Sequence, residues 1–192
     1  WTKGNNGLGS ALSLNGSNQY IEFGNVLNME LNDWTISGWI KKTSNPSSNQ
    51  HFLSKSRATS QNYRYSVGVG TNGGIRVFMQ GDGGADVVWN GNIVVTDGNW
   101  HYITVIYDRD SEAKLYVDGV FDSSMVISQW QNANMVSNNP FRLGSYTASD
   151  NITPSALFQG ELDQFRVYNY ARSPLKLLGT TTAEHQLPIG DL

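Results

Sequence analysis

The sequence predicts an all-β chain: two antiparallel sheets packed face to face as a sandwich, with one short C-terminal helix. Three observations carry this. Short runs with apolar residues at every second position recur along the chain, which is the period of a strand with one buried face. Turn dipeptides such as Asn15-Gly16, Asn90-Gly91 and Asp118-Gly119 separate those runs. Helical periodicity is confined to one segment near the end.

Leu12-Ser13-Leu14 runs into Asn15-Gly16, and Tyr20 to Phe23 follows as the next strand. Trp34 to Ile40 alternates large and small side chains. Phe52 to Lys55 is short. Tyr63, Tyr65, Val67 and Val69 share one face, and Asn72-Gly73-Gly74 turns the chain into Ile75 to Met79. Val87-Val88-Trp89 and Ile93-Val94-Val95 bracket Asn90-Gly91, which reads as a further turn. Trp100 to Tyr107 is the strongest strand; Ala113 to Val117 pairs back, and Asp118-Gly119 turns into Val120-Phe121. Phe141 to Gly144 and Leu162 to Tyr168 close the set. Ser123 to Pro140 and Ser145 to Thr153 read as surface loops. Ser173-Pro174 followed by Leu175 to Leu178 and Gly179 has the cap, first-turn proline and stop of a short helix. Residues 1–179 are therefore expected as one domain and residues 180–192 as a tail or linker.

Composition narrows the function. Charged residues make up 15% of the 192, and the net charge is −3. Basic residues are scattered, so no phosphate-tracking patch is expected and nucleic acid is excluded as a partner. Asn, Ser, Thr and Gly give a polar, neutral surface suited to sugars. The absence of cysteine excludes disulfides and thiolate chemistry. No apolar run reaches the ~18 residues of a membrane span. The chain starts at Trp1, as a mature product or a piece of a longer protein does, and an extracellular or cell-surface setting is expected.

Three stretches together resemble the laminin-G-like, concanavalin A-like jelly-roll family. They are ALSLNGSNQYIEFGN with LNDWTISGWIKKT, then DGNWHYITVIYDRDSEAKLYVDGV, then FRLGSY and FQGELDQFRVYNYARSPLKL. The resemblance runs from Ala11 to about Leu178. It implies a jelly-roll sandwich that hosts lectins, enzyme-appended sugar-binding modules, adhesins and some glycosidases. The expected function is a non-catalytic carbohydrate-binding module of a larger secreted protein, whose partner is a polysaccharide or glycan. The alternatives are an adhesion or protein-interaction domain, and a glycoside hydrolase or polysaccharide lyase.

Family glycosidases carry Glu-x-Asp-x-x-Glu on one strand, or the same set one residue shorter. Glu161 and Asp163 match two places, but the third falls on Phe165 or Arg166, so the acid is missing. The resemblance also implies a structural calcium ion held by Asp163 with Asn15, Gly16 and Asn18 of the first turn. Asn15 stands where an Asp is common, one formal charge fewer. Trp39 and Trp100 are expected in the core. His101 is expected at the surface or at a sheet edge, and the Asp118 carboxylate is expected to bond its own turn backbone. Sugars stack on aromatic rings while their hydroxyls meet amides, carboxylates and Arg. The expected ligand residues are Trp89 and Trp130, each flanked by amides, with Arg57, Tyr63, Arg64, Tyr146, Asp150 and Asn151.

Overall fold

The alternation read in the sequence becomes strands throughout the computed structural model, which describes residues 1–7, 9–56, 63–81, 86–147 and 153–173. In chain order the first strands are β1 (Thr2–Lys3), β2 (Ser10–Asn15), β3 (Ile21–Glu22), β4 (Trp34–Lys41) and β5 (Gln50–Lys55). The middle ones are β6 (Arg64–Val69), β7 (Gly74–Gln80), β8 (Val87–Val94), β9 (Trp100–Tyr107) and β10 (Glu112–Val117). The last are β11 (Val120–Val126), β12 (Phe141–Leu143), β13 (Tyr146–Thr147), β14 (Pro154–Ser155) and β15 (Gln159–Tyr168). A seven-stranded sheet runs β1-β2-β15-β4-β9-β10-β11, and a six-stranded sheet runs β3-β12-β5-β6-β7-β8. Every pairing within the two sheets is antiparallel. The expected all-β sandwich is the fold. The expected helix after Ser173 and the tail lie outside the described residues. Among those described, no helix is long and apolar enough to cross a membrane.

The core lies between the sheets. Trp34, Ile36 and Ile40 of β4 and Ile103, Val105 and Tyr107 of β9 face Tyr65, Val67, Val69, Ile75, Val77 and Met79 from the other layer. Trp34 stacks on Tyr107 with ring centres 4.3 Å apart. A bulge between Asp163 and Arg166 resets the phase of β15, so that Phe165 follows Leu162 into the interior. Gly38 makes the space: a Cβ there would sit 2.7 Å from the Phe165 ring.

Several expectations change. Trp39 and Trp100 are half-buried rather than in the core. Residues 34, 36 and 40 already fill the inner face of β4, so Trp39 points outward, 5.0 Å from Tyr102. Asn90-Gly91 is not a turn, because Val87–Val94 continues as one strand whose two ends both pair with β7. Ser123 to Pro140 is not simply a surface loop. β11 extends to Val126, and Trp130 and Met135 enter the core. Buried Arg109 holds this segment by donating from Nη1 to Glu30 O (2.8 Å) and from Nη2 to Trp130 O and Ala133 O. Buried Lys55 does similar work with 2.8 Å bonds to Asn25 Oδ1, Val26 O and Asn139 O. Asp118 does form the expected turn with Gly119, both at positive φ. Its carboxylate, however, accepts from Tyr102 N–H and meets His101 Nδ1 on the neighbouring strand.

Candidate functional site

Since Tyr65, Val67, Ile75, Val77 and Met79 point into the core, the alternate residues of β6 and β7 must point out. These are Arg64, Ser66 and Gly68, then Arg76, Phe78 and Gln80. The register aligns His51, Gly68, Arg76 and Asn90 in one row across four strands. Glycine in that row leaves no side chain between His51 and Arg76, whose backbones lie roughly 10 Å apart at normal strand spacing.

The segment between β12 and β15 is fastened across this face. Gly144 N–H donates to Phe52 O (2.9 Å), Ser54 Oγ donates to Ser145 O (2.7 Å) and His51 N–H donates to Ala156 O (2.9 Å). These bonds set Tyr146 over the sheet. Its ring lies 4.8 Å from the His51 ring, and its hydroxyl accepts from Arg64 Nη1 at 3.1 Å. Arg64 lies 4.8 Å over the Phe78 ring and reaches Asp86 Oδ1 at 3.5 Å. The result is a plate made of the Tyr146 and His51 rings and the Arg64 guanidinium.

The electrostatics of the row are one-sided. Burial, with Arg76's charge second, pushes the His51 imidazole down to about 4, so it is neutral at pH 7. Its Nδ1 is buried and has no hydrogen-bond partner among the described residues. Arg76 donates from Nη1 to Asn90 Oδ1 at 3.3 Å. Among the described residues it has no carboxylate at ion-pair distance. Burial lowers its pKa, yet a guanidinium stays charged at neutral pH.

The expected ligand residues divide sharply. Arg64 and Tyr146, 82 residues apart in sequence, meet here. Tyr63 packs against the core, on the inner side of the sheet. Arg57, Asp150 and Asn151 lie outside the described residues. The described flanks of their loops do meet, since Thr147 N–H approaches Ser56 Oγ at 3.4 Å. Trp89 and Trp130 are corrected outright. They are 8% and 3% exposed and belong to the core, Trp89 with its indole N–H on Ser123 Oγ. Neither ring offers a face to a ligand. The residues that sequence reading missed are His51, Arg76, Phe78 and Asn90. The available signal was Arg76 between Ile75 and Val77, a lone cation at an alternate position of an apolar strand.

The expected calcium ligands do not fit one ion. Asn15 pairs with Gln159, four residues along β15 from Asp163, or about 13 Å at strand rise. Asn15 Oδ1 already accepts from Ser17 and Asn18 N–H, and Asn18 Oδ1 accepts from Asn15 Nδ2. Asp163 accepts instead from Asn5 N–H at 2.9 Å. Glu161 faces Lys41 at 3.7 Å. Both carboxylates lie on the seven-stranded sheet, in the layer opposite Arg64 and Tyr146.

Solved structures share this architecture. The heptameric SAP-like pentraxin of Limulus polyphemus is 16% identical and superposes with a TM-score of 0.65, covering 86% of this chain and 78% of that one. The binding domain of Paraclostridial Mosquitocidal Protein 1 is 16% identical with a TM-score of 0.69, over 87% of this chain and 42% of that one. The CBM40 module of a Ruminococcus gnavus sialidase, solved with α2,3-sialyllactose, is 17% identical with a TM-score of 0.63, over 85% and 97%. At such identities the likeness establishes the fold. No curated protein matches the sequence. A family model described as Laminin_G_3, concanavalin A-like lectin/glucanases superfamily, matches residues 15–177. The chain belongs to that family.

Proposed function

We propose that this chain is a non-catalytic glycan-binding module that reads sugars on the outer face of its six-stranded sheet. The observation that carries the proposal is the plate of Arg64, Tyr146 and His51, assembled from three separate segments and held by backbone bonds. A rigid ring beside Arg and amide groups supplies what a pyranose needs: an apolar surface for its C–H face and directional donors for its hydroxyls. Preorganisation keeps the cost of binding low. The sialidase module solved with sialyllactose has the same fold. On this reading the protein works outside the cell or at its surface, as one unit of a larger polypeptide. The Glu161 and Asp163 pair plays no part in bond cleavage, because each is engaged structurally and the strand offers Phe165 and Arg166 where a third acid would stand.

The test is glycan-array screening followed by calorimetric titration of Tyr146→Ala and Arg64→Ala. Each substitution should weaken binding of the best glycan at least tenfold while moving the melting temperature by only a few degrees. Full retention of affinity in both variants would remove the site from this face. Binding to a protein partner with no glycan bound at all would move the chain to the adhesion class.

A further inference from the structure

We infer that the ligand of this face is an anionic glycan, whose carboxylate or sulfate group sits against Arg76 in the row His51, Gly68, Arg76 and Asn90. The inference rests on the glycan-binding reading above and adds the chemical class of the ligand. Among the described residues, the other cations of the six-stranded sheet's outer surface are matched: Arg142 by Glu22 at 2.8 Å, and Arg64 by Asp86 at 3.5 Å. Arg76 differs, having an amide as its hydrogen-bond partner and no carboxylate at ion-pair distance among the described residues. The protein is acidic overall, so leaving one half-buried guanidinium without a counter-charge is not a by-product of excess positive charge.

The surroundings suit an incoming anion. A half-buried cation without an internal counter-charge costs desolvation energy that a ligand carboxylate or sulfate would offset. Arg offers its planar fork to such groups, and hydrogen bonds to them are charge-assisted. Gly68 puts no side chain between Arg76 and His51, and the Gln50 carbonyl lies close against it. His51 is buried beside Tyr146, the two rings tilted by 40°, and among the described residues its Nδ1 has no hydrogen-bond partner. Asn90, at the end of the row, is exposed and carries an amide. A sugar stacked near Tyr146 would therefore present an acidic substituent to Arg76 and a hydroxyl to the exposed Asn90 amide.

The experiment uses an array carrying matched neutral, carboxylated and sulfated glycans, including 3′-sialyllactose with its methyl ester and oligogalacturonates with theirs. Hits are then titrated with the native protein, Arg76→Gln and Arg76→Lys. The expected result is at least tenfold tighter binding of an acidic glycan than of its neutral counterpart. That preference should vanish in Arg76→Gln and persist in Arg76→Lys. The carboxylated and sulfated arms identify which acid is read. Equal binding of acidic and neutral members would overturn the inference and leave the glycan-binding reading standing. A preference unchanged in Arg76→Gln would overturn the assignment to this row. Binding of no glycan would overturn both.

Discussion

Replacing Trp130 with alanine should unfold this protein far more readily and should not touch its ligand affinity. The indole is 3% exposed and packs within the core, over Gly81, which has no side chain to displace it. A buried tryptophan removes roughly 200 Å² from water. At about 25 cal/mol per Å² that is about 5 kcal/mol, less up to about 40% because the unfolded chain already hides some surface. Alanine keeps only its small share, so the expected loss is about 3–4 kcal/mol, within the range of about 3–5 measured for such truncations. With a urea m-value of about 2 kcal/mol/M, the midpoint falls by about 1.5–2 M. The assay is equilibrium urea denaturation followed by tryptophan fluorescence, with calorimetric titration below the transition. A stability loss under about 1 kcal/mol, together with lost glycan affinity, would refute the reasoning and return the ring to a binding role.

Other outcomes follow from the same geometry. Gly68→Ala should cost about 1–3 kcal/mol, because the new methyl would overlap Gln50 O and press on His51 Cα, both backbone atoms that cannot step aside. Lys55→Met should cost about 2–4 kcal/mol by leaving three carbonyl-type oxygens without their donor, and urea denaturation reads it directly. Burial pulls the His101 imidazole down, but Asp118 and Asp97 together outweigh it and raise its pKa above 6.5. Its stabilising effect is therefore full below pH 6.5 and fades as pH rises through the folded value. The melting-temperature gap between native protein and His101→Gln should accordingly narrow from pH 5.5 to 8.5, and a gap that stays constant would exclude the ion pair as its cause. Because Asn15, Asn18 and Asp163 do not share one ion, added calcium and added chelator should give melting temperatures within about 1 °C; a larger shift would require a site elsewhere.

Much of the fold could be read from the chain because local rules govern it. A period of two assigns Trp34, Ile36 and Ile40 to one face of their strand, and Asp118-Gly119 reverses the chain whatever surrounds it. The sandwich then follows, since each such strand must bury its apolar side against another layer. Burial depth does not follow from periodicity in the same way. Trp39 and Trp89 each sit in an alternating run, yet one lies on the outer surface and the other inside. The difference is set by which face the opposite sheet covers. Trp130 enters the core because Arg109 draws distant carbonyls together, a contact made only once β9 and the segment after β11 are side by side. The ligand face is likewise a product of register. Arg64 and Tyr146 were legible as individual residues, but their meeting depends on the crossing of the segment after β12 over β5. His51 and Arg76 become neighbours only through the glycine between them. Sequence thus determined the repertoire of strands and turns, where interactions are short-range. Which rings face outward, and where the Arg76 guanidinium lies, was decided by tertiary packing, where residues far apart in the chain compete for the same interior.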